Sequence, residues 1–356
     1  MCLRTPGLLL CLLPMGCGGP SAQAPAETQS SRAADAPAVG YGQVRLQDEA
    51  RNRPVWIDLW YPAAPSVRMA SIRYGLAMGR AARDAAPAPG VWPLIALSHG
   101  AGGSGPNYAW LAEHLAAEGY AVAAVNHHGE SRAYGEGSLD PLAMFRSWLR
   151  PADVHFAISS LLTDEQWRQH LRGDRVGGIG HSAGGHTLLV LAGGEYEPMR
   201  MGEYCRTETA RSDKGCEYAR DLDAEDWAKI GTRPDGSLPT ESRLAALLLM
   251  EPAMGPSFIE SSLQKITVPI HIVASRPGDF IPFAPHAGHF ARLLPEASLT
   301  TLDQGEGHFV YIAECGLPID ILGVPLCTDA PGVDRGAAHQ RIVRLAAEFF
   351  GEKLPR

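Results

Sequence analysis

Five short apolar runs, four of them followed by a segment of helical character, constrain this chain more than any other feature. They are Pro93 to Ser98 (PLIALS), Ala121 to Asn126 (AVAAVN), Val176 to Gly180, Leu244 to Met250 (LAALLLM) and Ile270 to Ser275, and a shorter run follows at Ser298 to Leu302. Between and after them, helices are expected over Asn107 to Glu118, Pro151 to Leu162, Ala183 to Leu191, Phe283 to Leu294 and Arg335 to Phe350. The first has Pro106 near its opening turn and Gly119 at its end, as helix termini prefer. Periodicity alone leaves Leu244 to Met250 open between helix and strand, and its place in the alternation makes it a strand. Strands that are apolar on both faces and alternate with helices belong to a mostly parallel sheet covered on both sides, with right-handed crossovers. The fold class is therefore α/β. Two earlier strands, Gly42 to Leu46 and the alternating Val55 to Tyr61 (VWIDLWY), suit an antiparallel edge, and the Ala- and Arg-rich Val67 to Pro89 reads as irregular or a short helix.

The 356 residues are long for one domain, but α/β enzymes of this size often fold as one unit with insertions. The polar stretch from about Gly193 to Ser242 interrupts the alternation. It reads as a lid or cap insertion, with Tyr196, Met199, Tyr204 and Trp227 available either to line a pocket or to pack the lid down. Hydrophobic residues make up 45% and charged residues 20%, an ordinary globular balance. A net charge of −8, without a Lys/Arg cluster, argues against nucleic acid as a partner. No pattern assigns an oligomeric state.

Residues 1–17 read as an export signal, with Arg4 ahead of the apolar core Leu8 to Leu13, which is too short to span a bilayer. Leu13-Pro14-Met15-Gly16-Cys17 resembles a bacterial lipobox, with Leu13 one place too far from Cys17. Cleavage there leaves a lipidated Cys17 as a membrane tether and a periplasmic or membrane-anchored lipoprotein. Cleavage near Ala22-Gln23-Ala24, just before Pro25, is the alternative and gives soluble export. Residues 18–38 then form a flexible linker, and 39–356 the α/β domain. Outside the leader, Cys205, Cys216, Cys315 and Cys327 remain, and four cysteines allow three pairings. Cys205 with Cys216 and Cys315 with Cys327 are preferred, because each pair closes a short loop in an irregular stretch and export favours oxidation.

Gly180-His181-Ser182-Ala183-Gly184 has the G-x-S-x-G form of a nucleophile elbow and lies between a strand (VGGIG) and a helix (AGGHTLLVLA). A serine hydroxyl needs a base. Among the thirteen histidines the candidate is His308, in Gly305-Glu306-Gly307-His308-Phe309, which follows the last short strand and so keeps the chain order serine, acid, histidine. His286 and His289 fall on an expected helix and read as surface residues. For the acid that orients the imidazole, Asp279 follows the run Ile270 to Ser275, and Glu251 follows Met250 directly. Both lie at carboxyl ends of strands, where open α/β sheets place their sites. Asp279 is the first choice and Glu251 the alternative; Asp303 reads as a surface residue. Two backbone N–H groups are needed for an oxyanion hole. Ala183, after the nucleophile, supplies one, and Ala101, in Ser98-His99-Gly100-Ala101-Gly102-Gly103, supplies the other.

Competing patterns are weaker. Gly100 to Gly105 fits the dinucleotide fingerprint G-x-G-x-x-G, but the next strand ends in Asn126-His127-His128 where an acidic residue is wanted. His127, His128 and Glu130 cluster without a complete metal-ligand set, so neither metal nor organic cofactor is expected. A non-catalytic cell-envelope binding protein would keep the same residues without turnover, and a thioesterase or amidase would use the same three side chains.

The segments SHGAGG, GIGHSAGG, PGDFIPFAP, GEGHFVYIAEC and DRGAAHQRIVRLAAEFF resemble the dienelactone hydrolase family, and in particular an exported branch related to platelet-activating-factor acetylhydrolases. The resemblance runs from about Tyr41 to Leu354. It implies an α/β-hydrolase fold and hydrolysis of a small-molecule ester through an acyl-enzyme on Ser182. In the dienelactone hydrolases the acid corresponds to Asp279; in the acetylhydrolases it corresponds to Glu251. Dienelactone hydrolases proper carry a cysteine nucleophile, and Ser182 departs from that, pointing to general or short-acyl esters.

Overall fold

The computed structural model describes residues 38–220, 222–231 and 238–356. The expected leader with Cys17, and the linker except Ala38, lie outside the described residues.

Ten strands form one sheet: β1 (Ala38–Asp48), β2 (Arg53–Ala63), β3 (Ala70–Tyr74), β4 (Ala77–Arg83), β5 (Trp92–Ser98), β6 (Ala121–Asn126), β7 (Leu171–His181), β8 (Leu244–Met250), β9 (Ile270–Ser275) and β10 (Ala297–Leu302). Their spatial order is β10-β9-β8-β7-β5-β6-β2-β1-β4-β3. From β6 to β10 the neighbours are parallel, and β2 joins β6 antiparallel, as does β1 to β2. The chain leaves β5 for β6 on one side and returns to β7 on the other. The carboxyl ends of β5 and β7 therefore flank a topological switch, where a crevice opens in sheets of this kind.

Eight helices accompany the sheet among the described residues: α1 (Ala109–Ala117), α2 (Leu149–Thr163), α3 (Ala183–Leu191), α4 (Pro198–Tyr204), α5 (Ala224–Ile230), α6 (Glu260–Leu263), α7 (Ala287–Leu293) and α8 (Arg335–Lys353). The two-residue period of a strand sends alternate side chains to opposite faces. In β5, Leu94 and Ala96 pack against α2 and α3, while Ile95 and Leu97 pack against α1 and α8. Leu247 and Leu249 of β8 are fully buried, each contributing about 1.5–3 kcal/mol.

Three expectations need correction. Val67 to Pro89 is neither irregular nor helical. It forms the β3–β4 hairpin, with Arg73 opposite Met78 and a turn at Gly75. Ile72 and Tyr74 point inward, and the inward positions of β4 are the small residues Ala77 and Ala81. Alanine carries little strand signal in isolation, and β preference is set by packing context. The helix expected from Phe283 begins only at Ala287. Pro282 and Pro285 bias the residues before them away from helical geometry, and the Phe283 carbonyl instead accepts the N–H groups of His286 and Gly288. His286 consequently is not a surface residue: it caps α7 and is 1% exposed.

Candidate active site

Ser182 lies at the junction of β7 and α3 with φ 53° and ψ −118°, a conformation that costs a non-glycine residue about 1–3 kcal/mol. The surroundings hold it there. The Ser182 N–H donates to the Met250 carbonyl, and the Ser182 carbonyl accepts from Gly185 and Ala253. The flanking glycines are required by space. A Cβ on Gly184 would sit 1.9 Å from the Ser98 carbonyl oxygen, and one on Gly180 would sit 2.5 Å from the Gly184 carbonyl oxygen. The strand and helix can approach this closely only without side chains, and the tight turn pushes the serine toward the crevice.

The loop after β5 comes alongside. A Cβ on Gly100 would lie 3.4 Å from the Ser182 Cβ, so the loop that carries Ala101 passes next to the nucleophile. Among the described residues, the Ala101 N–H has no protein acceptor. Ala183 occupies the first position of α3, where backbone N–H groups have no intrahelical partner. Both N–H groups are thus available to a developing oxyanion.

His308 opens a 3-10 turn (His308–Tyr311) after β10 and is 3% exposed. Its ring stacks on Phe280, 5.1 Å between centroids and 13° between planes. Burial, with the nearby His181 and His286, holds its pKa well below 6.5. The imidazole is therefore neutral at neutral pH, the form a general base needs. Its Nδ1 is buried and has no hydrogen-bond partner. The carboxylate that reaches this residue is Asp279, whose Oδ1 accepts the His308 backbone N–H at 2.7 Å. Asp279 also lies against Gly307, where a Cβ would meet its Oδ2 at 2.1 Å. Glu251 is differently placed. It is 1% exposed, and its Oε2 accepts from the Ser275 N–H at 2.6 Å and the Tyr311 hydroxyl at 3.2 Å. Burial, reinforced by the charge of Asp279, pushes its pKa up to about 8, which leaves it protonated at neutral pH.

The insertion between α3 and β8 is fastened to the segment after β9 that carries Asp279 and to the chain beyond His308. The Asp213 Oδ2 accepts from His286 Nε2 at 2.8 Å, and the Gly255 N–H donates to the other ring nitrogen. The Lys214 N–H donates to the Phe280 carbonyl, and its Nζ to the Leu322 carbonyl. Disulfides join Cys205 to Cys216 and Cys315 to Cys327. Tyr196 packs against His186 and Phe258 in the core, and Tyr204 faces His286. Met199 and Trp227 are exposed, and the Trp227 ring lies 6.0 Å from that of Phe145.

The other polar candidates have structural partners. His127 donates from Nδ1 to Asp153 and accepts from Ser98 at Nε2, and Glu130 is paired with Arg150. Asp303 is exposed beside Arg276. Two contributors to the site carried no readable signal in the sequence. Arg150 is the second residue of α2, just before the helix expected from Pro151, and Tyr108 is one aromatic residue at a helix start. Only the tertiary structure brings them under the Gly100 loop.

This sheet order, with a strained serine at the β7–α3 elbow and a histidine after the last strand, is that of the α/β-hydrolase fold. Residues 67–139 match the family described as platelet-activating factor acetylhydrolase, isoform II, a stretch that includes Ala101 but ends before Ser182. A ferulic acid esterase from Streptomyces cinnamoneus has a similar structure, with a TM-score of 0.55 and 21% sequence identity over 89% of this chain and 90% of that chain. No curated protein matches the chain in sequence. The structural likeness shows the α/β-hydrolase fold, and the family match covers part of that fold.

Proposed function

We propose that the protein is a serine carboxylic-ester hydrolase that forms an acyl-enzyme on Ser182 and acts on small or short-acyl esters. The observation that carries this reading is the strained Ser182, next to the Gly100 loop and followed by Ala183, with its chain neighbour His181 hydrogen-bonded to the backbone of a buried, neutral His308. In the first step the Ser182 oxygen adds to the ester carbonyl while His308 takes its proton, and the oxyanion is met by the two N–H groups. His308 then protonates the departing alcohol. Water, deprotonated by the same imidazole, releases the acid and restores the serine. Asp279 is the triad acid in this proposal, because it already contacts His308 through the backbone, whereas Glu251 is protonated and occupied by Ser275 and Tyr311. The ester class fits the acetylhydrolase-type match and the serine in place of a dienelactone hydrolase's cysteine. The expected leader makes this an exported enzyme, tethered to the membrane through a lipidated Cys17.

A fluorophosphonate probe tests the reading. Labelling mapped to Ser182 and abolished by Ser182→Ala and His308→Ala is the expected result. A well-folded wild type that resists the probe would overturn it and favour a binding protein.

A further inference from the structure

The second residue of the elbow is used as a structural link between the catalytic loops. His181 is 2% exposed and lies beneath the Gly100 loop, where a Cβ on Gly100 would come 3.2 Å from its Nδ1. Three hydrogen bonds pass through it and its neighbour. The Gly100 N–H donates to the Tyr108 hydroxyl at 3.1 Å, that hydroxyl lies 2.8 Å from His181 Nδ1, and His181 Nε2 lies 3.1 Å from the His308 carbonyl oxygen. Only one arrangement of protons satisfies all three. A carbonyl oxygen only accepts, so His181 carries its proton on Nε2. Nδ1 of a neutral ring then accepts, so the Tyr108 O–H donates to it. The hydroxyl's lone pairs remain for Gly100. Burial lowers the pKa of His181 to about 4, so the neutral ring is the resident form.

We propose that Tyr108 and His181 form a one-directional hydrogen-bond relay that sets the oxyanion loop at a fixed distance from the His308 loop. Both act as positioning residues for the hydrolysis proposed above, on which this inference rests. The relay runs from the residue before Ala101, through the residue before Ser182, to the backbone of His308 itself. Nucleophile, oxyanion donor and base are thus tied by groups that never touch substrate. Tyr108 is 1% exposed and on the first helical segment after the loop, so its ring is a fixed post. A displacement of about 1 Å at a reacting group can lower a rate by roughly 10²-fold.

Tyr108→Phe removes one oxygen and keeps the ring. His181→Gln keeps a polar group whose oxygen and nitrogen sit on one carbon, so it cannot span Tyr108 and His308 together. On a short-acyl ester, each folded variant is expected to keep KM and lose about 10- to 100-fold in kcat. The double variant should be no worse than the poorer single, because either change opens the same relay. The inhibition constant of a trifluoromethyl ketone, which forms an oxyanion on Ser182, should rise by the factor by which kcat/KM falls. A folded Tyr108→Phe or His181→Gln within threefold of wild-type kcat, or losses that multiply in the double variant, would overturn the relay. Wild-type labelling by the fluorophosphonate is measured first. If Ser182 does not label, the hydrolase reading and the relay fall together; if it labels and the variants are unaffected, the relay alone falls.

Discussion

Arg150 and Glu130 meet beneath the glycine-rich loop, guanidinium Nε 3.2 Å from carboxylate Oε1, and each reaches the loop from its own side. Arg150 Nη2 donates to the carbonyl oxygen of His99 at 2.7 Å, and the Gly102 N–H donates to Glu130 Oε2 at 3.3 Å. Ala101 lies between these two anchor points. Both charged residues are buried, at 2% and 7% exposure. Glu130→Ala would leave the buried Arg150 charge without its carboxylate and remove the acceptor of the Gly102 N–H. Removing one partner of such a pair costs about 3–5 kcal/mol. Urea denaturation of Glu130→Ala should therefore show a loss in that range, and Glu130→Gln, which still accepts from Gly102, a smaller one. Equal stability of wild type and Glu130→Ala would mean that the pair does not hold the loop.

Stability should pass through a maximum near pH 6.5. Five buried histidines and the half-buried His339 titrate below their ordinary 6.5 in the folded chain: His127 and His186 to about 3, His181 and His339 to about 4, and His99 and His308 well below it. Burial is the first cause in each. Below pH 6.5 the unfolded chain binds the protons that the folded chain refuses, so stability falls on acidification. Glu251 has the opposite sign, because its folded pKa of about 8 exceeds its ordinary 4.5. Its contribution is complete below pH 4.5 and is lost as the pH rises to 8. In the acid range six groups outweigh one, and above about pH 7.5, where the unfolded histidines have lost their protons, only Glu251 of these seven still titrates. Denaturation midpoints at pH 5, 6.5 and 8 should follow this order, and Glu251→Gln should flatten the alkaline limb.

His186 lies on α3, fully buried, with neither ring nitrogen hydrogen-bonded. Its ring packs 4.4 Å from Tyr196 and 5.0 Å from Phe258. An unsatisfied buried polar group costs about 1–3 kcal/mol, and leucine has a similar volume without that cost. His186→Leu is expected to raise the unfolding free energy by about 1 kcal/mol. A loss instead would assign the imidazole a polar partner in solution.

Gly184→Ala should prevent folding of the elbow. The added methyl would meet the Ser98 carbonyl 1.9 Å away, which is backbone in the middle of the sheet and cannot turn aside. The expected cost exceeds about 4 kcal/mol, at the far end of single substitutions. Soluble, cooperative Gly184→Ala protein with wild-type melting behaviour would contradict the elbow geometry.

Much of this molecule is local, and local features are readable. Ala183–Leu191, Leu244–Met250 and Ile270–Ser275 take the extents expected from their apolar patterns, because a strand covered on both faces must be apolar throughout. The elbow was readable for a similar reason: its two glycines are demanded by contacts within a single strand–turn–helix unit and with the adjoining strand end. Chain order singled out His308 as the candidate base, and loop length the disulfide pairs that the structure forms. What tertiary structure decided is pairing at a distance. Asp279 and Glu251 both end strands, and only the observed packing separates an exposed carboxylate at the His308 backbone from a buried, protonated one. His286 looked like a helix-surface residue until Asp213, 73 positions earlier, was found against it. Tyr108, Glu130 and Arg150 carry no motif, and they matter because folding brings them beneath one loop. Burial shifts a pKa or fixes a tautomer only through the groups that surround a side chain, and in this fold those groups come from elements far apart in the chain.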